Sequence, residues 1–260
     1  ARERVDYLLD DGTFREVDPF VEASTLATDN SYLDVTFNEG VSADASTVSA
    51  LAESDFALTY ADDGGAASDV EIADVTNANG NALAGGEQTI RLQLRVVDAP
   101  ASGVEDIEVQ PASGTAIYDR AGNPVTATDS TGAKTLYDLK KPTVTTASVT
   151  NAPITNTEAG DTQTVTVEFD EEMDASINPT VQITGLPEAG AVGVTNPRWT
   201  DSTTFEADVS IPDNEEDATA TIEVSGARDT SNADNQMTPD ASNTFTVDTK
   251  DPTISTNYGG

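Results

Sequence analysis

The sequence contains no cysteine and no histidine. Without cysteine there is no disulfide framework and no thiol nucleophile, and without histidine the chain lacks the commonest general base and a principal zinc ligand. Zinc-dependent chemistry and His- or Cys-based catalysis are therefore excluded. An extracellular location is not excluded, because secreted proteins do not all carry disulfides.

Aromatic residues make up only 5% of the 260 residues, and hydrophobic residues 37%, which is below the usual globular share. Any core must therefore be thin and built from Val, Ile, Leu and Ala. That composition suits β-sandwiches, because each strand needs only one buried face. No apolar run approaches the ~18 residues of a membrane helix, so no membrane insertion is expected in this segment.

Basic residues are scarce: 12 stand against 47 acidic ones, for a net charge of −35. Such self-repulsion destabilises a compact fold in dilute buffer, whereas at molar salt the Debye length falls to about 3 Å. The acidic, lysine-poor composition resembles that of proteins from halophiles. The alternative is an acidic extracellular protein whose charge is offset by calcium. Nucleic acid is not expected as a partner, since no basic cluster could neutralise phosphates.

Two proline steps organise the chain, at Leu139 to Val144 and at Val247 to Ile254. Their prolines are 252 − 142 = 110 residues apart, close to the roughly 100 residues of a small β-sandwich. The residue before proline favours extended backbone, and proline itself is confined to strand edges, so each step predicts a joint. The predicted parts are an N-terminal arm at 1–23, sandwich domains at 24–140 and 141–249, and at 250–260 the start of a following module or a tail.

Both predicted domains repeat the same order of short alternating strands, which predicts an all-β fold. Tyr32 to Val41 and Thr164 to Met173 share the pattern apolar-x-Val-x-Phe-polar-Glu-x-apolar. A late turn follows in each domain, at Asp119 to Asn123 and at Asp229 to Asn235. The second turn lacks the Gly-Asn pair of the first, so we expect its geometry to differ.

On these shared motifs, residues 25–254 resemble the tandem Ig-like repeats of large bacterial and archaeal surface proteins and adhesins. The resemblance implies two Ig-like β-sandwiches and a non-enzymatic role at the cell surface, as a spacer, filament or surface-lattice subunit. Its implied partners are copies of the chain or neighbouring surface proteins. The alternative is an adhesin module that binds a ligand or glycan.

Residues 1–22 do not match the repeats. Ala1 to Asp10 predicts a short amphipathic helix with Val5, Leu8 and Leu9 on one face, and Thr13 to Glu22 is expected to be extended. This segment resembles the N-terminal element of acyl-CoA carboxylase carboxyltransferase subunits. The catalytic body of that family is missing from the rest of the chain, so no catalytic residue is carried over, and an enzyme fragment is kept only as a competing class. The extended part could add a strand to the sheet edge of a neighbouring subunit.

Calcium is the cofactor that the acidic loops suggest, because it takes six to eight oxygen ligands at about 2.3–2.6 Å. Near the Pro142 joint the candidate ligands are Glu39, Asp119, Asn123 and Asp138. Near the Pro252 joint they are Glu171, Asp229, Asp248 and Asp251. Chance clustering in so acidic a chain is the competing explanation.

Two other functional interpretations are weaker. A carboxylate pair for glycoside hydrolysis would need burial and a cleft, which this thin core hardly offers. Trp199, the single tryptophan, could stack on a sugar, but the area that an indole buries favours a place in the core.

Overall fold

The computed structural model of the chain describes residues 7–8, 14–15, 18–231 and 233–254. The chain divides into two compact units, residues 1–140 and 141–260. In each unit two sheets enclose a separate hydrophobic core. The predicted all-β sandwich class is confirmed, with a single short 3₁₀ helix, Glu53–Asp55, among the described residues.

The N-terminal arm contains a small antiparallel pair, β1 (Tyr7–Leu8) and β2 (Phe14–Arg15). The helix predicted for this stretch is therefore wrong at Tyr7 and Leu8. Val5 and Leu9, also assigned to that helix, lie outside the described residues. The reason for the error is that a short apolar run does not distinguish helix from strand by periodicity alone.

Unit 1 is a sandwich of a larger and a smaller sheet. Its strands are β3 (Val21–Leu26), β4 (Tyr32–Ser42), β5 (Phe56–Ala61), β6 (Asp69–Asn77), β7 (Glu87–Val97), β8 (Asp106–Pro111), β9 (Tyr118–Asp119) and β10 (Lys134–Thr135). The larger sheet has the order β3-β4-β7-β6, with β9 paired to the last residues of β4, and the smaller has the order β10-β8-β5. All of these pairs are antiparallel.

The core of unit 1 follows from strict alternation along β4. Leu33, Val35 and Phe37 are buried while the residues between them are half-buried. Leu33 lies opposite Leu92 and Val35 opposite Ile90 on β7. Residues of β8 on the other sheet belong to the same cluster, and buried residues outside the strands, such as Ile117 and Val125, complete it.

The first strand of unit 1 begins at Val21, two residues after Pro19. The predicted boundary at residue 23 therefore cuts through a strand and is corrected to the Pro19 step. The backbone N–H of Phe20 donates to Asn38 Oδ1 (2.7 Å), and Asn38 N–H donates to the Phe20 carbonyl (3.0 Å). These bonds anchor the start of β3 beside Asn38 of β4.

Unit 2 is built in the same way. Its strands are β11 (Val144–Val149), β12 (Ile154–Thr155), β13 (Gln163–Phe169), β14 (Thr180–Leu186), β15 (Gly190–Gly193), β16 (Thr195–Trp199), β17 (Thr204–Val209), β18 (Asp217–Ser225) and β19 (Asp240–Asp248). One sheet has the order β11-β13-β17-β16 and the other β12-β19-β18-β14-β15. The short β12 pairs with β19 in parallel, and the other pairs are antiparallel.

The start of unit 2 repeats the anchoring seen in unit 1. Thr143, directly after Pro142, donates its N–H to Asp170 Oδ1 (2.7 Å), and Asp170 N–H returns a bond to the Thr143 carbonyl (3.1 Å). Val144 then lies opposite Phe169, as Val21 lies opposite Phe37 in unit 1. The sequence repeat is thus also a repeat of hydrogen bonds.

None of the helical segments in the described part of the chain is long and apolar enough to cross a membrane.

Gly40 allows the backbone of β4 to approach the loop before β7, and it generates a prediction. A Cβ at position 40 would lie 2.4 Å from the Gly86 carbonyl oxygen, so the backbone must shift in Gly40→Ala. We expect a loss of about 1–3 kcal/mol in the free energy of unfolding of unit 1, measured by native-state hydrogen exchange of its strands. The control is Gly114→Ala, since a Cβ there meets nothing within 4 Å. Equal effects of the two substitutions would contradict the packing argument.

Candidate functional site

Each unit has two ends, which differ in how the chain passes through them. The N pole is the end where the chain runs into the first strand, beside Asn38 in unit 1 and Asp170 in unit 2. The C pole is the end where the chain leaves the last strand. It lies beside Glu105 in unit 1, where Leu136 N–H bonds the Glu105 carbonyl (2.8 Å), and beside Glu216 in unit 2, where Thr249 N–H bonds the Glu216 carbonyl (2.8 Å).

Three of the calcium ligands predicted for the Pro142 joint lie at the N pole of unit 1. Asp119 pairs with Val41 near the end of β4, and Glu39 precedes Val41 by two residues. Asn123 is held by the side chain of Asp119. These three residues share one end of the sandwich.

The fourth, Asp138, lies at the opposite end of unit 1. Its neighbour Tyr137 exchanges hydrogen bonds with the side chain of Asn30, which precedes β4. The 11 residues of β4 separate the two poles by roughly 35 Å at ~3.3 Å per residue. The predicted grouping of these four residues in one site is therefore wrong, because nearness to proline in sequence does not show at which pole a side chain lies.

The second predicted group divides in the same way. Glu171 and Asp229 lie at the N pole of unit 2, where each offers a carboxylate oxygen within 4.8 Å of the other. Asp248 lies at the C pole opposite Asp217, the first residue of β18, and Asp251 follows it. The nine residues of β18 span about 30 Å, so Asp248 and Asp251 cannot share an ion with Glu171 and Asp229.

Asp119 organises the N-pole loop of unit 1. This buried carboxylate accepts backbone N–H bonds from Ala121 and Asn123 on Oδ1 (both 2.8 Å) and the Asn123 side-chain amide on Oδ2 (2.8 Å). Charge-assisted bonds of this kind compensate the cost of burying a carboxylate. The Asp-x-x-Gly-Asn motif is therefore a loop clamp, whether or not it also ligates a metal.

Asp229 forms the equivalent clamp in unit 2. Its Oδ1 accepts N–H bonds from Ser231 (3.1 Å) and Asn235 (3.0 Å), and its Oδ2 accepts the Asn235 side-chain amide (2.9 Å). The loop is two residues longer than that of unit 1, as expected from the missing Gly-Asn pair, but the same Asp-to-Asn bonds close it.

The residue before the clamping asparagine has left-handed backbone in both units. It is Gly122 (φ 89°) in unit 1 and Asp234 (φ 52°) in unit 2. Aspartate is one of the few other residues that adopt this conformation readily. Arg228 also fixes Asp234, by an ion pair of 2.5 Å. This difference explains how unit 2 keeps the clamp without glycine.

Glu105, at the C pole of unit 1, was not singled out by the sequence analysis. It is fully buried, and its carboxylate accepts backbone N–H bonds from Ala66 (2.8 Å), Ala67 (3.1 Å) and Ser102 (2.9 Å), so it joins two loops. Gly65 makes room for it, since a Cβ there would lie 2.2 Å from the Glu105 side chain.

The protonation of Glu105 is shifted by this environment. Burial alone raises the pKa of a carboxyl group, but the backbone donors Ala67, Ser102 and Ala66 outweigh it and hold the pKa of Glu105 below its ordinary value of 4.5. The carboxylate is thus ionised at neutral pH and serves as an acceptor.

Glu216 occupies the same place in unit 2, with 1% of its surface exposed. Its Oε1 accepts N–H bonds from Glu188 (2.9 Å) and Ala189 (2.5 Å). A sequence signal for both residues exists, because an acidic pair that begins with Glu stands at the start of β8 and of β18. This signal was missed because acidic residues are so common in the chain that a further acidic pair does not indicate a particular role.

The single tryptophan, Trp199, is half-buried and packs against the core of unit 2. The Trp199 ring packs against Phe169 (centroids 5.7 Å apart) and edge-on against Phe205 (5.3 Å). This matches the core interpretation of Trp199, and the glycan-binding alternative gains no support from it.

The few arginines of the described sheets act as cross-strand clamps on acidic side chains. Arg91 forms a two-pronged ion pair with Asp34 (2.7 and 2.8 Å). Arg198 bridges Glu206 (2.8 Å) and Asp208 (2.9 Å) on the neighbouring strand. These pairs offset part of the negative charge of the sheet faces.

No family model matches the chain, and no curated protein matches it. Among solved structures, one similar chain is the N-terminal part of the bacterial S-layer protein SbsC, at 13% identity and a TM-score of 0.29. The match covers 89% of this chain and 44% of that one, so the chain spans less than half the length of its structural neighbour. A similarity at this level does not define a family.

The lowered pKa of Glu105 predicts acid sensitivity of unit 1. Because the folded pKa lies below the unfolded value, the carboxylate adds stability above about pH 4.5, and this is lost as the pH falls through the folded pKa. We expect Glu105→Gln to lower the free energy of unfolding by about 1–3 kcal/mol at pH 7 and by much less at pH 3, measured by urea unfolding. The exposed Glu53→Gln is the control, and a pH-independent effect of Glu105→Gln would contradict the assignment.

Proposed function

We propose that this chain is a non-enzymatic structural module of an extracellular or cell-surface protein, serving as a spacer, filament or surface-lattice subunit. The observation that carries the proposal is that each unit takes in the chain at one pole and releases it at the opposite pole. Such a module adds its own length, roughly 35 Å for the longest strand, to any chain that contains it.

The poles support this interpretation because their loops are clamped. Buried carboxylates tie loops to strand ends at both poles of both units: Asp119, Glu105, Asp229 and Glu216. Clamped loops resist local opening. A spacer under tension needs such resistance, whereas many enzymes need loops that move. Recurrence of the clamps in two units favours a mechanical role, since one ligand site would not need duplicate ends.

The charge supports a salty or calcium-containing setting outside the cell. A net charge of −35 is compensated within the described sheets by only a few ion pairs. The remaining repulsion is weak only where dissolved ions screen it. A halophilic source is our first proposal, and calcium compensation the second.

Calcium itself is proposed at the N pole of unit 2. Glu171 and Asp229 already place two carboxylate oxygens within 4.8 Å of each other. The loop bonds to Asp229 hold its side chain in place. Little conformational entropy is therefore lost when an ion binds. An ion there would tie the loop to the strand end and stiffen the pole. Partners are proposed to be further copies of the chain or neighbouring surface proteins.

The extended part of the N-terminal arm is a candidate for contact with a neighbour, by adding a strand to the edge of that neighbour's sheet. In the described residues Tyr7–Leu8 pairs with Phe14–Arg15, so one edge of each of these strands is already used within the arm.

Pulling the chain by its ends tests the mechanical proposal. Single-molecule force spectroscopy should show two separate unfolding peaks, each releasing about 400 Å of chain, the contour of roughly 110–120 residues at ~3.6 Å each. The first strand of each unit pairs with its neighbour along its length, so the peaks should be sharp. Smooth extension without peaks would contradict a mechanical role.

Thermal melts across NaCl and CaCl₂ test the ionic proposals. We expect the melting temperature to rise with NaCl as repulsion is screened, and to rise further with CaCl₂ at constant ionic strength, reversibly with EDTA. Full stability in dilute buffer would count against a halophilic origin.

The calcium site is located by a matched pair of variants. Glu171→Gln should reduce the calcium-dependent rise in melting temperature. Substitution of its exposed neighbour, Glu172→Gln, should leave that rise unchanged. Equal responses of the two variants would remove the proposed site.

A further inference from the structure

Glu216 is buried at the C pole of unit 2, and the chain around it fixes its position. Its N–H donates to Thr249 Oγ1 (2.9 Å), and Thr249 N–H donates to its carbonyl (2.8 Å). Thr249 is itself fully buried. These bonds fix the backbone of Glu216 to the end of the last strand.

The two carboxylate oxygens of Glu216 have different surroundings. Oε1 accepts the N–H bonds of Glu188 and Ala189. Oε2 is sealed from solvent and has no hydrogen-bond donor among the described residues. A buried acceptor left without a partner is costly, and more so when it is charged.

The equivalent residue of unit 1 shows what is missing. In Glu105 both oxygens have donors: Oε1 accepts from Ala66 and Ala67, and Oε2 from Ser102 (2.9 Å) and Val104 (3.3 Å). The fold can therefore saturate a glutamate at this place with backbone amides. In unit 2 the loop supplies donors to one oxygen only.

Nearby charge does not compensate Glu216. Its sequence neighbours Glu215 and Asp217 are acidic, and Asp251 is tied to Glu215 by a bond of 2.9 Å from its N–H. Lys250 is exposed and forms no ion pair with a carboxylate of the described residues. A water molecule at Oε2 would complete a hydrogen bond but leave the buried charge unneutralised.

We propose that Oε2 of Glu216 is a ligand of a bound hard cation, with Ca²⁺ as the ion that fits its chemistry. A carboxylate oxygen is the kind of ligand that Ca²⁺ prefers, and Oε2 is a buried one that no hydrogen-bond donor of the described residues occupies. The ion neutralises the buried charge and ties the Glu188 loop to the last strand of unit 2. This site lies at the opposite pole of unit 2 from Glu171 and Asp229, so each of the two proposed sites can be tested independently of the other.

The test uses the full chain with the other proposed site removed. Calcium binding is measured by native mass spectrometry and by melting at constant ionic strength in Glu171→Gln, Glu171→Gln/Glu216→Gln and Glu171→Gln/Glu215→Gln. The Glu216→Gln substitution keeps an acceptor for the two N–H donors and removes the charge. Glu215 is the exposed neighbour and the matched control.

We expect the Glu171→Gln and Glu171→Gln/Glu215→Gln chains to bind the same number of ions, and Glu171→Gln/Glu216→Gln to bind one fewer. With calcium at 100 times its dissociation constant, the folding equilibrium constant of unit 2 should increase about 100-fold in the first two chains. In the third chain this rise should be lost.

Three results would overturn the proposal. One is an unchanged ion count in the Glu216→Gln chain. Another is a Glu216→Gln chain that is more stable than its parent without calcium and has lost a pH-dependent step, which would identify a proton at Oε2. If Glu216→Gln does not fold, crystals of Glu171→Gln grown with Tb³⁺ decide: an anomalous peak within about 3 Å of Oε2 supports the site, and its absence refutes it.

Discussion

Buried carboxylates that accept backbone N–H groups are the constraint on which both units depend. Hydrophobic burial closes each sandwich and extends to buried residues beside the pole loops, such as Ile117, Val125 and Met237, but the loops themselves need a further anchor. There the chain uses Asp119 and Glu105 in unit 1, and Asp229 and Glu216 in unit 2. Charge-assisted bonds to amides are stronger than neutral ones, so each carboxylate fixes a loop that would otherwise be free to fray. A chain with few aromatic residues gains its defined ends in this way.

The same carboxylates explain why a large negative charge is compatible with a compact fold. Inside the poles, oriented amide dipoles replace the water that an ionised group would otherwise need. On the sheet faces, pairs such as Arg91 with Asp34 cross between strands. The acids that remain face solvent, where salt screens them. Negative charge is thus divided between a structural part, held by the protein, and a solvent-facing part whose effect depends on the ions present.

Much of the architecture could be predicted from sequence, because the signals were periodic. Alternation at Leu33, Val35 and Phe37 identified the core face of β4, and the repeat identified its counterpart in β13. The Pro19 step was missed because residues 1–22 were interpreted as a separate segment, which placed the boundary past Val21. The candidate metal ligands were identified as loop acids, but their grouping failed. Distance along the chain from Pro142 carries no information on strand direction, and strand direction decides which pole Asp138 or Glu171 occupies.

Comparison of the two units shows where the repeat is free to vary. The pairing of the first strand is the same in both units: Val21 lies opposite Phe37, and Val144 lies opposite Phe169. The poles keep their clamping residues but change the loops around them. Asp234 stands in the place of the left-handed Gly122, and the donors around Glu216 are fewer than those around Glu105. Since a core substitution disturbs every strand whereas a pole loop touches few, differences in binding between repeats should arise at the poles.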